Sequence, residues 1–91
     1  MSGREDYAAE VAAHRARIDA LDDAIVALLA ARAAEVAALW KAKTAAGDAM
    51  FDAPREVAVY SRLRTTAADA GLAPDAVEAV FRTIVGARLR G

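Results

Sequence analysis

The sequence contains no cysteine, which excludes disulfides and thiolate metal sites and leaves the redox compartment unmarked. It has one histidine, His14, so a His-rich metal site cannot form within one chain. Proline, glycine and aromatic residues are scarce while alanine is abundant, a balance that favours helix throughout. Neither charge dominates. The net charge is -1, without the basic excess of a nucleic-acid footprint, so any anion site must come from local placement of Arg and Lys. No apolar run approaches the ~20 residues needed to span a bilayer. Residues Ser2 to Asp6 are polar or acidic and lack a signal-peptide pattern. The expectation is a cytoplasmic protein with no nucleic-acid or membrane partner. At 91 residues the chain is one domain, 1–91, with a core small enough that oligomerisation is the usual remedy.

What is present is helical periodicity. From about Asp6 to Ala46 there is no Pro or Gly, and apolar residues recur at Val11, Ile18, Leu21, Ile25 and Leu28, continued by Leu29, Val36 and Leu39 on a slowly drifting face. Forty residues of helix would span about 60 Å, which implies a partner helix alongside. Gly47 is a natural stop, because it takes the left-handed conformation cheaply. Asp52 suits an N-cap for a second helix with Pro54 in its first turn, running to about Ala70 and ended by Gly71. Pro74 opens a third helix, where Asp75 and Glu78 suit the dipole and Val77, Val80, Phe81, Ile84 and Val85 form an apolar stripe. The expected fold is all-α, one long and two shorter helices per chain, assembled as a helical homodimer.

Three cations on the first helix stand out: Arg15, Arg32 and Lys43. Arg32 and Lys43 are eleven residues apart, three helical turns, so they share a face roughly 16 Å apart. That face is otherwise apolar, with Val36 and Leu39 between them. Arg15 lies seventeen residues before Arg32, roughly 25 Å away, too far for both to grip one small metabolite within a chain. An antiparallel partner helix would return its own Arg15 to the site, and the pattern suggests a small dianionic ligand held between two chains. Each cation also has an ordinary explanation. Arg32 can snorkel or pair with Glu35 across a dimer, Lys43 can stabilise the last carbonyls of its helix, and Arg15 can pair with Asp19 one turn on. Asp52 serves as a cap whatever else it does, Arg55 and Glu56 can be solvated helix-start residues, and Tyr60 can be core or interface. His14 and Trp40 are read as packing residues. Periodicity alone names no function.

The combination is more specific. The stretch Arg15, Ile18, Leu21, Asp22, Ile25, Leu28, Leu29, Arg32, and then Lys41-Ala42-Lys43, resembles the first helix of the AroQ-type (all-helical) chorismate mutases. Phe51-Asp52-Ala53-Pro54-Arg55-Glu56 resembles the start of that family's second helix. Gly71-Leu72-Ala73-Pro74 and Val80-Phe81-Arg82-x-Ile84-Val85 resemble its third. The similarity covers roughly residues 14 to 88. It implies an intertwined homodimer with two shared active sites and the Claisen rearrangement of chorismate to prephenate, without metal or cofactor. It also implies the roles. Arg32 and Arg15 of the partner subunit bind the two carboxylates, Lys43 meets the ether oxygen and one carboxylate, and Glu56 binds the ring hydroxyl. Asp52 shapes the hydroxyl end, partly through its backbone, and Arg55 supports the site.

The sequence departs from the family at its C-terminal end. Arg88 stands where many members have a Ser, and the sequence stops at Gly91, before the position of a Gln that provides the second group on the ether oxygen. Three readings are open there: Arg88 or Arg90 supplies the donor, a partner enzyme of the shikimate pathway completes the site, or the substrate differs. Relatives act on isochorismate by eliminating pyruvate, or rearrange 4-amino-4-deoxychorismate, and Glu56 with Asp52 can accept an ammonium as well as a hydroxyl. A non-enzymatic helical dimer is the remaining alternative.

Overall fold

The computed structural model describes residues 3–49, 51–87 and 89, and every described element is helical: α1 (Gly3–Ala46), α2 (Ala53–Asp69) and α3 (Pro74–Gly86). The chain divides into two compact units, Met1–Glu35 and Val36–Gly91.

The described residues of the first unit all lie in α1. The helix begins at Gly3, three residues before the start expected at Asp6. Glu5 and Asp6 occupy its first turn, where negative charge offsets the exposed amide dipoles. No residue of α1 is buried. Ile18 and Ile25 are each 54% exposed, and Leu21 and Leu28 are more open still, at 63% and 69%. A seam of large aliphatic side chains at intervals of three and four residues thus faces solvent within one chain, which leaves its burial energy to be gained elsewhere.

The second unit holds the end of α1 and the pair α2 and α3. Helix α1 closes on Gly47 at φ 68°: the Gly47 N–H donates to the Thr44 carbonyl (3.1 Å) and the Asp48 N–H to the Lys43 carbonyl (2.9 Å). This double closure satisfies two of the carbonyls that a helix end leaves open. Helix α2 ends the same way at Gly71 (φ 77°), with Gly71 N–H to Ala68 (3.1 Å) and Leu72 N–H to Ala67 (2.8 Å). Its start is capped by Asp52, whose Oδ1 accepts from the Arg55 N–H at 3.0 Å. Pro74 occupies the first turn of α3, where a missing N–H costs nothing. Helices α2 and α3 pack against each other. Their core is Tyr60 (7% exposed), Leu63 (7%) and Ala67 (3%) on one stripe of α2. The matching side of α3 is Pro74, Val77, Phe81 and Ile84, all half-buried. Val80 and Val85, expected in the same stripe, are exposed within the chain, at 57% and 47%.

Candidate functional site

In the first unit Arg15 is exposed on α1 and lines a shallow depression with Tyr7, Val11 and Asp19. The ion pair with Asp19 that helix spacing allows does not form. Arg32 is half-buried and makes no ion pair or hydrogen bond through its side chain among the described residues.

In the second unit Lys43 lies in the last turn of α1, where its charge complements the open carbonyls. Its side chain is half-buried and also lacks a carboxylate partner. Among the described residues three basic side chains are half-buried: Arg32, Lys43 and Arg64. Arg64 is paired with Asp75 and Glu78, whereas Arg32 and Lys43 are not. Withdrawing a cation from water without a counter-ion is unfavourable, so an unpaired, half-buried Arg or Lys marks a place where an anion would be stabilised.

The first turn of α2 brings Asp52, Arg55 and Glu56 together. Asp52 is committed to the Arg55 backbone, which bears out its reading as a cap. The Arg55 side chain is exposed and unpaired. Glu56 is half-buried, and its carboxylate has no partner among the described residues. It faces an open groove of ≈460 Å³, a volume suited to a small metabolite, lined also by Phe51, Val57 and Tyr60 of one side and by Glu78 and Arg82 of the other.

Across this groove runs a charged network that no local spacing announces. Arg64 Nη1 lies 2.7 Å from Asp75 Oδ1 and 3.3 Å from Glu78 Oε1, and Arg82 Nε lies 3.0 Å from Glu78 Oε2. The Arg82 guanidinium sits 4.2 Å above the centre of the Tyr60 ring. Hydrogen bonding to Asp75 raises the Arg64 guanidinium above its ordinary value, with Glu78 acting in the same direction and desolvation opposing both. Asp75 and Glu78 therefore tie α3 to α2, and Asp75, alone of the two in the first turn, also complements the α3 dipole. Tyr60, ambiguous in sequence, belongs to the α2–α3 core and to the groove wall. Its one signal was its position one turn after Glu56 and one turn before Arg64.

The structure thus gathers Asp52, Arg55 and Glu56 at one helix start and leaves Arg15 and Arg32 in the first unit. Arg88 and Arg90 lie outside the described residues. Among the described residues no cluster of three or more His, Asp or Glu is placed to hold a metal ion, and no helix is long and apolar enough to cross a membrane.

Comparison with curated proteins and with solved structures returns no match. Comparison with protein-family models does: the model described as "Chorismate mutase type II" matches residues 14–90. The match begins beside Arg15 and runs through Arg32, Lys43, the Asp52–Glu56 turn and α3, so that the chain belongs to the type II, all-helical chorismate mutase family.

Proposed function

We propose that this protein is a chorismate mutase, converting chorismate to prephenate as a homodimer with two active sites shared between chains. The observation that carries the reading is the pair of half-buried, unpartnered cations, Arg32 and Lys43, within the stretch matched to the family. The match across residues 14–90 also supports reading 1–91 as one domain.

The reaction is an intramolecular pericyclic shift. The ether C–O bond breaks as a C–C bond forms between the enolpyruvyl methylene and the ring, and no proton or electron is exchanged with the protein. Catalysis then depends on conformation and electrostatics. The enolpyruvyl arm must be held over the ring, and fixing it in advance removes an entropic cost from the barrier. Arg32 and Arg15 of the partner subunit clamp the two carboxylates, each guanidinium offering a planar fork that matches a carboxylate. Lys43 lies at the ether oxygen, which gains negative charge as its bond to the ring breaks, so the ammonium interacts more strongly with the transition state than with the substrate. Glu56 accepts a hydrogen bond from the ring hydroxyl, Asp52 holds that turn in place, and Arg55 supports the same end. Arg88 or Arg90 is the candidate for the second donor to the ether oxygen, unless a partner protein completes the site. The exposed Ile18, Leu21, Ile25 and Leu28 seam supports the dimer, because a second copy of α1 is its natural cover.

The test is turnover of chorismate, 4-amino-4-deoxychorismate and isochorismate, each supplied separately to the purified protein, with products identified by mass spectrometry. Prephenate from chorismate supports the proposal. Faster turnover of the amino substrate, or pyruvate release from isochorismate without prephenate, assigns the protein to a relative's reaction. No turnover of any of them points to a required partner or to a non-enzymatic dimer.

A further inference from the structure

Arg82 is unassigned by everything above, and its geometry is unusual for an exposed arginine. One edge is fixed by the bond from Nε to Glu78 Oε2 at 3.0 Å, and one face is fixed by the Tyr60 ring at 4.2 Å. Glu78 is itself held, because its other oxygen accepts from Arg64 Nη1 at 3.3 Å. Tyr60 is almost fully buried, so the ring beneath the guanidinium does not move freely. What remains are the two terminal Nη groups, which have no acceptor among the described residues. They belong to a side chain that lines the same groove as Glu56. Tyr60 follows Glu56 by four residues, so the ring beneath the guanidinium shares a face of α2 with Glu56, one helical turn on.

We propose that Arg82, together with Glu56, reads the ring substituent of the substrate and selects a hydroxyl over an ammonium. The proposal rests on the reading of Glu56 given above. A hydroxyl has one proton to donate and lone pairs to accept with. Glu56, which has no N–H or O–H when ionised, accepts the hydroxyl's hydrogen bond. Arg82, which can only donate, fills a lone pair. The two groups therefore complement a hydroxyl on both sides. An ammonium has three protons and no lone pair, so it satisfies Glu56 but turns like charge and an unmatched donor toward Arg82. Discrimination of this kind is strong because the wrong ligand leaves a positioned polar group without a partner, and it includes a repulsive element as well as an attractive one. Because Arg82 is fixed on an edge and a face before any ligand arrives, little ordering is required on binding.

The experiment compares kcat/KM for chorismate and 4-amino-4-deoxychorismate in the wild-type protein, Arg82→Met and Arg82→Gln. Circular dichroism confirms that the variants remain helical. The wild type is expected to prefer chorismate by at least about 100-fold. Arg82→Met, which keeps a stem over Tyr60 but donates nothing, should lose about tenfold or more on chorismate and little on the amino compound, so that the ratio collapses. Arg82→Gln, with one amide donor, should fall between. Equal losses on both substrates would show that Arg82 only holds α3 against α2, and would overturn the proposal while leaving the mutase reading intact. A wild type that prefers the amino compound would overturn it as well. A wild type that turns over neither substrate would remove the mutase reading itself, and this proposal with it.

Discussion

Asp52 is asked to do two things, and a pair of substitutions separates them. Its Oδ1 accepts from the Arg55 N–H at 3.0 Å, and its charge lies at the positive end of α2. Replacing it with Ala removes both. Loss of the cap costs about 1 kcal/mol, and loss of the charge about 0.3–1 kcal/mol, together about 1–2 kcal/mol. For a chain of this size each kcal/mol moves the midpoint by about 4–8 °C, so Asp52→Ala should melt roughly 5–15 °C below wild type. Asp52→Ser keeps an acceptor at the cap and gives up only the charge, so it should recover at least half of that loss. The assay is thermal unfolding followed by far-UV circular dichroism at one fixed protomer concentration, since assembly would otherwise shift the midpoint. Chorismate turnover measured on the same samples carries the functional half. Because Asp52 is proposed to shape the hydroxyl end partly through its backbone, the Ser variant should also be the more active of the two. A Ser variant that melts as low as the Ala variant would refute the capping argument, and an Ala variant with unchanged turnover would refute any part for this residue in the site.

Other substitutions probe the core, the helix end and the sharing of sites. Leu63→Ala should destabilise by about 2–3 kcal/mol in denaturant titration, the lower part of the usual range, because a core with three buried residues among those described leaves neighbours room to relax; a change below about 0.5 kcal/mol would mean that α2 and α3 are not held by this contact. Gly47→Ala should cost about 1 kcal/mol: its φ of 68° strains any side chain, although no atom would touch the added methyl. Mixing Arg15→Ala with Arg32→Ala subunits, after confirmed exchange, should regenerate one intact site per mixed dimer and a substantial part of the activity. No recovery would remove the proposal that Arg15 acts across the interface.

The helices could be read in the sequence because their boundaries are set locally. Gly47, Asp52, Gly71 and Pro74 each act through neighbours within a few residues, and each does in the structure what its position suggests. The start of α1 lies three residues before the one the sequence suggests, since Gly3 to Glu5 carry no apolar period and helix there depends on charge at the first turn. The groove was not legible. Arg64 meets Asp75 and Glu78 at separations of eleven and fourteen residues on another helix, and Arg82 meets Tyr60 at twenty-two, so no period within one element signals these contacts. Arg32 and Lys43 stood out as cations in an apolar stripe, and the structure adds that both are half-buried without a counter-ion.

The measurement that tests the central claim most directly is steady-state conversion of chorismate to prephenate by the wild type and by Lys43→Ala, with dimer content and helicity checked for both. The account predicts prephenate from the wild type and a loss of about 100-fold or more in kcat for the variant, with a smaller change in KM, because the ammonium acts most strongly on the breaking ether bond. A Lys43→Ala protein that makes prephenate at the wild-type rate would contradict it.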